Sequence, residues 1–415
     1  MMDKCFSIEY SSIHSMNLFT DFNYRVIKSL TLVWLLLNMS SCNPNEKSEG
    51  CLIEVNVNDA VKSIYLEEIA NDIKFLKLES KKDLLIAEVS KLAIGDSSIF
   101  IFDRKQASLF AFHINGQFKY VIKNPSSTDG RKFEYIRDIY YDSDLNHLFV
   151  VDANANVIYE FDNTGLLVND IEPVIRPASI FRLTSSSWVV MNAWAGTPEY
   201  PEKLYVLNDD FSEILGSGIS NSKSGNITSP NPFTKHEDRV RFIHGLDNAV
   251  YEIHLDTISQ IGKVDFGSYY YDEALSEKPR MQMMMEFLEG DYAGLISNYF
   301  EFSDFITLNY TRAGLPRSEG AGRFVIFDKN QNAVVQHGRN LVIKKGDISI
   351  RFPLFRLGNS LGSYMDFYDL NKEDVFKANG NGVNSDYGWY SDLETLKQVT
   401  GQYDSPILVF YNVVN

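Results

Sequence analysis

The sequence predicts an all-β fold built from repeated four-stranded units. Its 415 residues include 28 Phe, 23 Tyr and 4 Trp, which together make 13% of the chain, and aromatic side chains favour β-strands. The segments Ile99 to Val121 and Leu148 to Asp170 align without a gap. Both alternate apolar and polar residues with the two-residue period of strands and are interrupted by polar and glycine turns. Four strands per repeat of this length are typical of a β-propeller blade.

The N-terminal segment has the layout of a secretory signal. Arg25 and Lys28 precede an apolar run at 30–37, which is too short to span a bilayer as a helix. Ser40 and Ser41 then precede Cys42, as in a bacterial lipobox, which predicts that Cys42 is lipidated. A plain signal peptide that contains a cysteine is the alternative.

These features predict the domain boundaries. Residues 1–41 form the signal peptide, of which 1–15 are polar and precede a second candidate start at Met16, as in an over-extended gene start. Residues 42–51 form a lipidated tether, and 52–415 form one propeller domain. The expected location is the cell envelope, as an outer-membrane lipoprotein that contacts the membrane through its lipid and faces the periplasm or the cell surface.

The remaining blades follow in order along the chain. A further apolar run closed by Asp precedes each aligned segment and supplies its first strand. Three more copies of the two central strands follow, at Trp188 to Leu207, Val240 to Ile253 and Phe305 to Asp328. The sequence therefore predicts at least five blades. The segments Leu52 to Val57 and Ile407 to Val413 are the candidates to close the ring from its two ends, since an open propeller would leave unpaired sheet edges.

One segment breaks the β pattern. Between Tyr271 and Leu295 the apolar residues follow a helical spacing, with Met281, Met284, Met285 and Leu288 at i, i+3, i+4 and i+7. This predicts an inserted helix, near residues 271–296, whose methionine stripe packs on the ring.

Several segments resemble a known family. They are Asn71 to Ile101, the strand end YEFD at 159–162, FEYIRDIYYD at 133–142 and SPILVFYNV at 405–413. Together they resemble the six-bladed β-propeller lipoproteins of Bacteroidota, which are similar to NHL and TolB-like propellers. The resemblance implies six blades and an envelope location. Of the glycine- and proline-rich loop that many members carry before the second blade, residues 124–135 keep only Gly130 and the final Glu134 and Tyr135.

Composition and motifs exclude several functions. A net charge of −16 repels phosphate backbones, which excludes nucleic acid as a partner. The motifs GxSxG, HExxH, GxxxxGK(S/T) and GxGxxG do not occur. Asp142, Asp144 and Asn146 resemble the start of a calcium loop, but His147 and Ala153 stand where that loop needs Gly and Glu. These residues are therefore interpreted as a polar turn. No metal site and no cofactor are predicted.

The candidate ligand site lies at one mouth of the ring. In a four-stranded blade, the turn between the second and third strands lies on the same face as the link to the next blade. The basic and aromatic residues of those turns and links are Arg104, Arg137, Trp194, Tyr200, His244 and Arg312. Such residues suit an anionic or planar ligand, such as a uronic sugar or a peptide carboxylate.

Three hypotheses for the function remain open. The first is a binding or scaffold propeller whose partner is a glycan, a peptide or another envelope protein. The second is a propeller enzyme, such as a polysaccharide lyase or a lactonase, although the missing motifs favour a non-enzyme. The third is a purely structural envelope protein, which would have no concave, aromatic-lined mouth.

Overall fold

A computed structural model describes most of the chain from Cys51 onward. The residues outside the description are 1–50, 81–84, 124–132, 194–197, 221–230, 244, 247, 273–279, 317–318, 345–346, 366–387, 392, 394, 397–405 and 415. The predicted signal peptide, Cys42, Trp194 and His244 lie among them.

Three strands at the start of the described chain join sheets that much later residues form. They are β1 (Cys51–Glu54), β2 (Ile64–Tyr65) and β3 (Ala70–Lys77), with a 3-10 turn (Val57–Asp59) after β1 and a one-turn helix α1 (Leu66–Ile69) between β2 and β3.

The next three sheets are contiguous antiparallel meanders of four strands each. The first contains β4 (Lys91–Ile94), β5 (Ser98–Asp103), β6 (Ser108–His113) and β7 (Phe118–Ile122). The second contains β8 (Ile136–Asp142), β9 (His147–Asp152), β10 (Val157–Phe161) and β11 (Leu167–Ile171). The third contains β12 (Pro177–Thr184), β13 (Ser187–Asn192), β14 (Glu202–Asn208) and β15 (Ile214–Ser220). The strands predicted from the sequence repeat are thus confirmed.

Two further meanders follow, and an inserted helix separates them. The fourth sheet contains β16 (Phe233–His236), β17 (Arg239–Ile243), β18 (Ala249–Ile253) and β19 (Ile258–Asp265), and β1 pairs in parallel with β19. A 3-10 turn (Gly267–Tyr269) and helix α2 (Arg280–Glu289) come next. The fifth sheet contains β20 (Ala293–Glu301), β21 (Phe305–Arg312), β22 (Gly322–Asp328) and β23 (Ala333–Gly338).

The last two sheets combine strands from both ends of the described chain. The small sixth sheet contains β2, β24 (Leu341–Ile343) and β25 (Ile348–Ile350). The seventh has the order β26 (Phe355–Leu357), β27 (Ser360–Met365), β29 (Ile407–Val413), β3 and β28 (Gly388–Tyr390).

The described residues therefore form seven sheets, and the prediction of a six-bladed propeller is wrong in its blade count. The additional sheet is the one that contains β2, β24 and β25. Its strands have two or three residues each, which is too short for an alternating pattern, and β2 is remote in sequence from the other two.

The ring closes with strands from both ends, but with a different N-terminal strand from the one predicted. Strand β29 has the predicted bounds and pairs antiparallel with β3, with Val413 opposite Ala70 and Val409 opposite Phe75. The predicted N-terminal partner, Leu52 to Val57, instead provides β1 at the edge of the fourth sheet.

Each sheet packs its faces against neighbouring sheets, which explains the aromatic composition. All six residues of β5 are buried, as are all six of β13. Trp188 on β13 is fully buried and lies against Phe149 and Phe211, with ring centroids 4.7 and 5.0 Å away. Large flat side chains thus fill the space between sheets.

Helix α2 confirms the predicted helical segment but not its packing face. Met283 and Phe287 are fully buried, whereas Met281 is 74% exposed and Met285 and Leu288 are both 47% exposed. The helix packs mainly through Met283 and Phe287, and of the predicted stripe only Met284 is partly buried against them. Among the described residues, no helix is both long and apolar enough to cross a membrane.

Candidate functional site

A cavity of about 470 Å³ lies where edge strands of six sheets meet. Its lining comes from β4, β8, β12, β16, β20 and β26 and from residues next to them, whereas no described residue of the small sixth sheet contributes. Each of these strands is hydrogen-bonded to a neighbour on one side only, so its other edge faces this space. We call it the central cavity. Aromatic side chains, including Tyr140, Phe181 and Phe355, form part of its wall.

A buried ion pair links the first strands of the first three sheets. Lys91 Nζ on β4 lies 2.9 Å from Asp138 Oδ1 on β8, and the two side chains are 8% and 9% exposed. The Ser179 hydroxyl on β12 donates to Asp138 Oδ2, and the backbone N–H of Ile139 donates to Oδ1 at 3.0 Å. A buried ion pair is tolerated when further hydrogen bonds satisfy it, as they do here.

Asn231, which lies just before β16, extends this network across the ring. Lys91 Nζ donates to Asn231 Oδ1 at 3.3 Å. The amide nitrogen of Asn231 donates to Asn298 Oδ1 on β20 at 2.7 Å and to the carbonyl of Leu354 at 3.1 Å. One side chain thus ties together the first, fifth and seventh sheets.

The network also borders a second space, which we call the upper cavity. This cavity has a volume of about 310 Å³. Asp138 and Ser179 line the central cavity, Lys91 and Asn298 line the upper cavity, and Asn231 lines both.

One buried amide of the upper cavity is only half satisfied. Asn309 on β21 lines the cavity and is 6% exposed. Its amide nitrogen donates to the carbonyl of Pro353 at 3.3 Å, whereas its Oδ1 accepts no hydrogen bond. A buried acceptor without a donor costs free energy, so such an atom requires an explanation.

A charged cluster lies beside Arg356, which lines the central cavity. Glu301 at the end of β20 accepts hydrogen bonds from Arg241 Nε at 3.0 Å and from Lys329 Nζ at 3.1 Å. Burial alone would raise the pKa of Glu301, but these two cations lower it overall. Burial lowers the pKa of the adjacent His236, and Lys329 contributes in the same direction. Arg356, which lines the cavity, donates to the backbone carbonyl of Glu301.

The predicted site residues that the structure describes lie outside both cavities. Arg104 is exposed in the turn between β5 and β6, and Arg137 is half-buried on β8. Tyr200 is half-buried and packs edge-on against Tyr205, with the ring centroids 6.1 Å apart. None of them lines the central or the upper cavity as far as the chain is described.

Arg312 is buried in contacts within the protein. It forms an ion pair with Asp291, donates to the carbonyl of Tyr292 at 3.2 Å and lies 4.2 Å from the ring centroid of Tyr269. The structure therefore does not bring Arg312 together with Arg104, and the positions of Trp194 and His244 lie outside its description.

The interpretation of Asp142 as a residue of a polar turn is confirmed. Its Oδ1 accepts the backbone N–H groups of Asp144 and Leu145 at 3.0 and 3.2 Å. Asp152 accepts those of Asn154 and Ala155 in the same way, at 3.2 and 3.1 Å. Among the described residues, no group of three or more His, Cys, Asp or Glu side chains could hold a metal ion.

The residues that line the cavities are not among those predicted from the sequence. Lys91, Asp138 and Asn309 lie within strands, whereas the predicted site was based on the turns and links of the blades. The available signal was a charged or amide side chain inside an otherwise apolar strand, such as Lys91 in KLAI, because such a residue must find a polar environment when buried.

One comparison with a solved structure supports the fold. A "putative exported protein" from Bacteroides fragilis superposes with a TM-score of 0.67 at 14% identity, over 88% of this chain and 99% of that one. A member of the DUF4221 family from Bacteroides vulgatus gives a TM-score of 0.48 at 10% identity, over 83% and 97%. No curated protein matches the sequence. The family model described as "Domain of unknown function (DUF4934)" matches residues 52–412, and the chain therefore belongs to the DUF4934 family of β-propellers.

Proposed function

We propose that this protein is an exported, lipid-anchored propeller of the cell envelope that binds a small ligand in its central cavity. The observation that carries the proposal is the network of Lys91, Asp138, Ser179, Asn231 and Asn298, which places satisfied polar groups of four sheets, together with Asn231, beside open space. The structural likeness to the "putative exported protein" of Bacteroides fragilis supports the location, and the lipobox-like residues before Cys42 support the anchor.

The size and lining of the central cavity favour binding over a purely structural role. Ligand pockets are commonly about 300 to 1,000 Å³ and combine an apolar wall with a few oriented polar groups. The central cavity has that volume, with aromatic side chains on its wall and Asp138 and Ser179 held in fixed positions. A purely structural propeller would gain more stability from an apolar channel, because a buried ion pair seldom stabilises more than apolar packing does. The predicted role of Arg104, Arg137, Trp194, Tyr200, His244 and Arg312 in ligand binding at the mouth of the ring stays a prediction.

The location is tested by fractionation of cells that express the full chain. Cys42→Ala should release the protein from the membrane fraction, because the acyl chains on a lipidated cysteine each contribute about 0.8 kcal/mol per buried CH₂. Cys51→Ala is the matched control and should stay in the membrane fraction. Equal retention of the Cys42→Ala protein would refute the anchor.

The binding role is tested with a glycan and peptide array on soluble protein that starts at Asn43, followed by calorimetry on each hit. Lys235 is an exposed strand residue that lines the central cavity. The bulky indole of Lys235→Trp should therefore obstruct the cavity and weaken binding at least tenfold. Lys74→Trp is the matched control, since Lys74 is an exposed lysine of strand β3 outside both cavities. If no probe binds, or if both variants bind like the parent, the central cavity is not the binding site.

A further inference from the structure

We infer that the central cavity binds a small carboxylate with an apolar body, and that Lys235 and Arg356 recognise its charge. This inference rests on the proposed function and adds the class of ligand. It starts from the difference between the two ends of the cavity. At one end the charged groups are already paired, and at the other the lining contains two cations that form no ion pair with a described residue.

Contacts between neighbouring sheets show that the edge strands around the cavity run in the same direction. Asp138 on β8 accepts a hydrogen bond from Ser179 on β12. Two residues later on each strand, Tyr140 packs against Phe181 with 5.1 Å between the ring centroids. The same order holds in the other half of the ring, where the successive contacts are Asn231 with Asn298 and Leu354, and then His236 and Arg356 with Glu301. The polar network therefore lies towards the beginning of these strands, and Arg356 towards their end.

The cavity opens to solvent at the end where these strands finish. Lys235, Glu237 and Gly358 are the exposed residues of its described lining, and Arg356 is half-buried. Asp138, at the other end, is buried. A ligand that enters from solvent therefore meets Lys235 and Arg356 first.

The charges at this opening favour an anionic ligand. Lys235 and Arg356 form no ion pair with any described carboxylate. Glu237, the one exposed carboxylate of the described lining, lies 3.5 Å from Arg239. The other carboxylate of the lining, Asp138, is held in the buried ion pair described above. Two cations are thus available to an anion, whereas both carboxylates already have cationic partners.

Arg356 is held in position with one nitrogen available to a ligand. Its Nε donates to the carbonyl of Gly358 at 2.7 Å, and its Nη1 donates to the carbonyl of Glu301. Its guanidinium carbon lies 4.2 Å from the ring centroid of Phe302. Among the described residues, Nη2 has no hydrogen-bond partner. Burial lowers the pKa of Arg356, against an opposing effect of Glu301, and a bound carboxylate would offset this loss of solvation with a charged hydrogen bond.

The wall of the cavity favours an apolar body on the ligand. Tyr140, Tyr141 and Phe181 are half-buried and belong to the lining. The hydroxyl of Tyr141 already donates to Asn146, so its ring is what a ligand would contact. With the carboxylate at Lys235 and Arg356, the rest of the ligand would extend along these rings, and apolar or aromatic groups pack best there.

The test is calorimetric titration of the soluble chain from Asn43 with four probes. They are 4-phenylbutyrate, its neutral amide, the cation 4-phenylbutylamine and acetate. 4-Phenylbutyrate should bind at least tenfold more tightly than each of the others. The amide and the amine lack the carboxylate that pairs with the two cations, and acetate lacks the apolar body that packs on the rings.

Charge-removing variants identify the residues that recognise the carboxylate. Lys235→Gln and Arg356→Gln should each weaken the binding of 4-phenylbutyrate by roughly three- to tenfold, the effect of losing one partly exposed charged contact. Lys74→Gln and Arg104→Gln are the matched controls, since both parent residues are exposed and line neither cavity. Both controls should bind within twofold of the parent. Circular dichroism will show whether each variant is folded, and the exposed Lys235 carries the test if Arg356→Gln unfolds.

The possible failures separate the inference from the proposed function. If the amide or the amine binds as tightly as 4-phenylbutyrate, the ligand class is wrong and the proposed function stands. If acetate binds as tightly, or if both charge-removing variants bind like the parent while Lys235→Trp prevents binding, the inference is wrong and the central cavity is still the site. If none of the four probes binds the parent, the inference is wrong, and the array decides the proposed function separately.

Discussion

Two regions of the molecule are built from similar strands in opposite ways. One is the set of three meanders that span residues 91–220. The other is the seam, where β2 and β3 near the start of the described chain pair with β24 and β29 near its end. In the meanders, each strand pairs with its neighbour in sequence. In the seam, Ala70 pairs with Val413 and Ile64 pairs with Leu341. Because the closing of a long loop costs conformational entropy before any contact forms, the seam depends on the rest of the ring. Pairing between strands that are neighbours in sequence therefore forms the blades, whereas pairing between strands that are far apart in sequence closes the ring.

The largest expected effect comes from removing the C-terminal strand of the seam. Strand β29 lies between β27 and β3 and pairs with both, and Ile407, Leu408 and Val409 are fully buried. Deletion of residues 406–415 should therefore prevent folding, as measured by circular dichroism and by solubility.

Removal of β1 is the contrasting change at the other end. This strand pairs on one side only, with β19, so a chain that starts at Val55 should fold with a lower melting temperature.

A protein without residues 406–415 that melts at the parent temperature would show that the seam does not hold the ring together.

The same contrast explains how much could be predicted from the sequence. The alignment of Ile99 to Val121 with Leu148 to Asp170 located strands β5 to β7 and β9 to β11, because a meander repeats its turns and alternation locally. Ile407 to Val413 was recognisable as a strand, but nothing in its composition identifies Ala70–Lys77 as the partner. The site was missed for a related reason. Lys91 and Asp138 are adjacent only because two sheets pack side by side, and that packing leaves no spacing in the sequence.

The second prediction concerns the ion pair within the meanders. Asp138→Ala would leave the Lys91 ammonium, 8% exposed, without its carboxylate. Removal of one partner of a buried pair typically costs about 3 to 5 kcal/mol, and we expect a loss of that size in the free energy of unfolding in urea. The double variant Lys91→Met with Asp138→Leu should recover most of it, because neither charge then stays buried alone.

The control for this prediction is an exposed ion pair of the seam. Glu68 lies 3.4 Å from Lys344, and their side chains are 56% and 65% exposed. Glu68→Ala should cost less than about 1 kcal/mol. If Asp138→Ala costs no more than Glu68→Ala, the pair in the ring centre does not hold the three meanders together.

The smallest predicted effect is a pH dependence located where the fifth sheet meets the seam. The backbone carbonyl of His337 on β23 accepts a hydrogen bond from the backbone N–H of Val61 at 2.9 Å. The imidazole Nε2 of His337 lies 2.8 Å from the Tyr310 hydroxyl. Burial, with a contribution from the positive charge of Arg323, lowers the pKa of His337 from 6.5 to about 4. The folded protein therefore holds this imidazole neutral at pH values at which the unfolded chain protonates it.

The sign of the effect follows from that difference in pKa. Above pH 6.5 the histidine is neutral in both states and the stability is constant. Between about pH 6.5 and pH 4 the unfolded chain takes up a proton that the folded protein does not, so the free energy of unfolding should fall by about 2 to 3 kcal/mol. Carboxylates also titrate in this range, so the informative quantity is the difference in slope between the parent and His337→Phe. The variant lacks the titrating imidazole and should show the shallower slope. Tyr310→Phe keeps the histidine and its burial, which is the main cause of the lowered pKa, and should keep most of the parent slope. Equal slopes for the parent and His337→Phe would show that protonation of His337 does not weaken the contact between the fifth sheet and the seam.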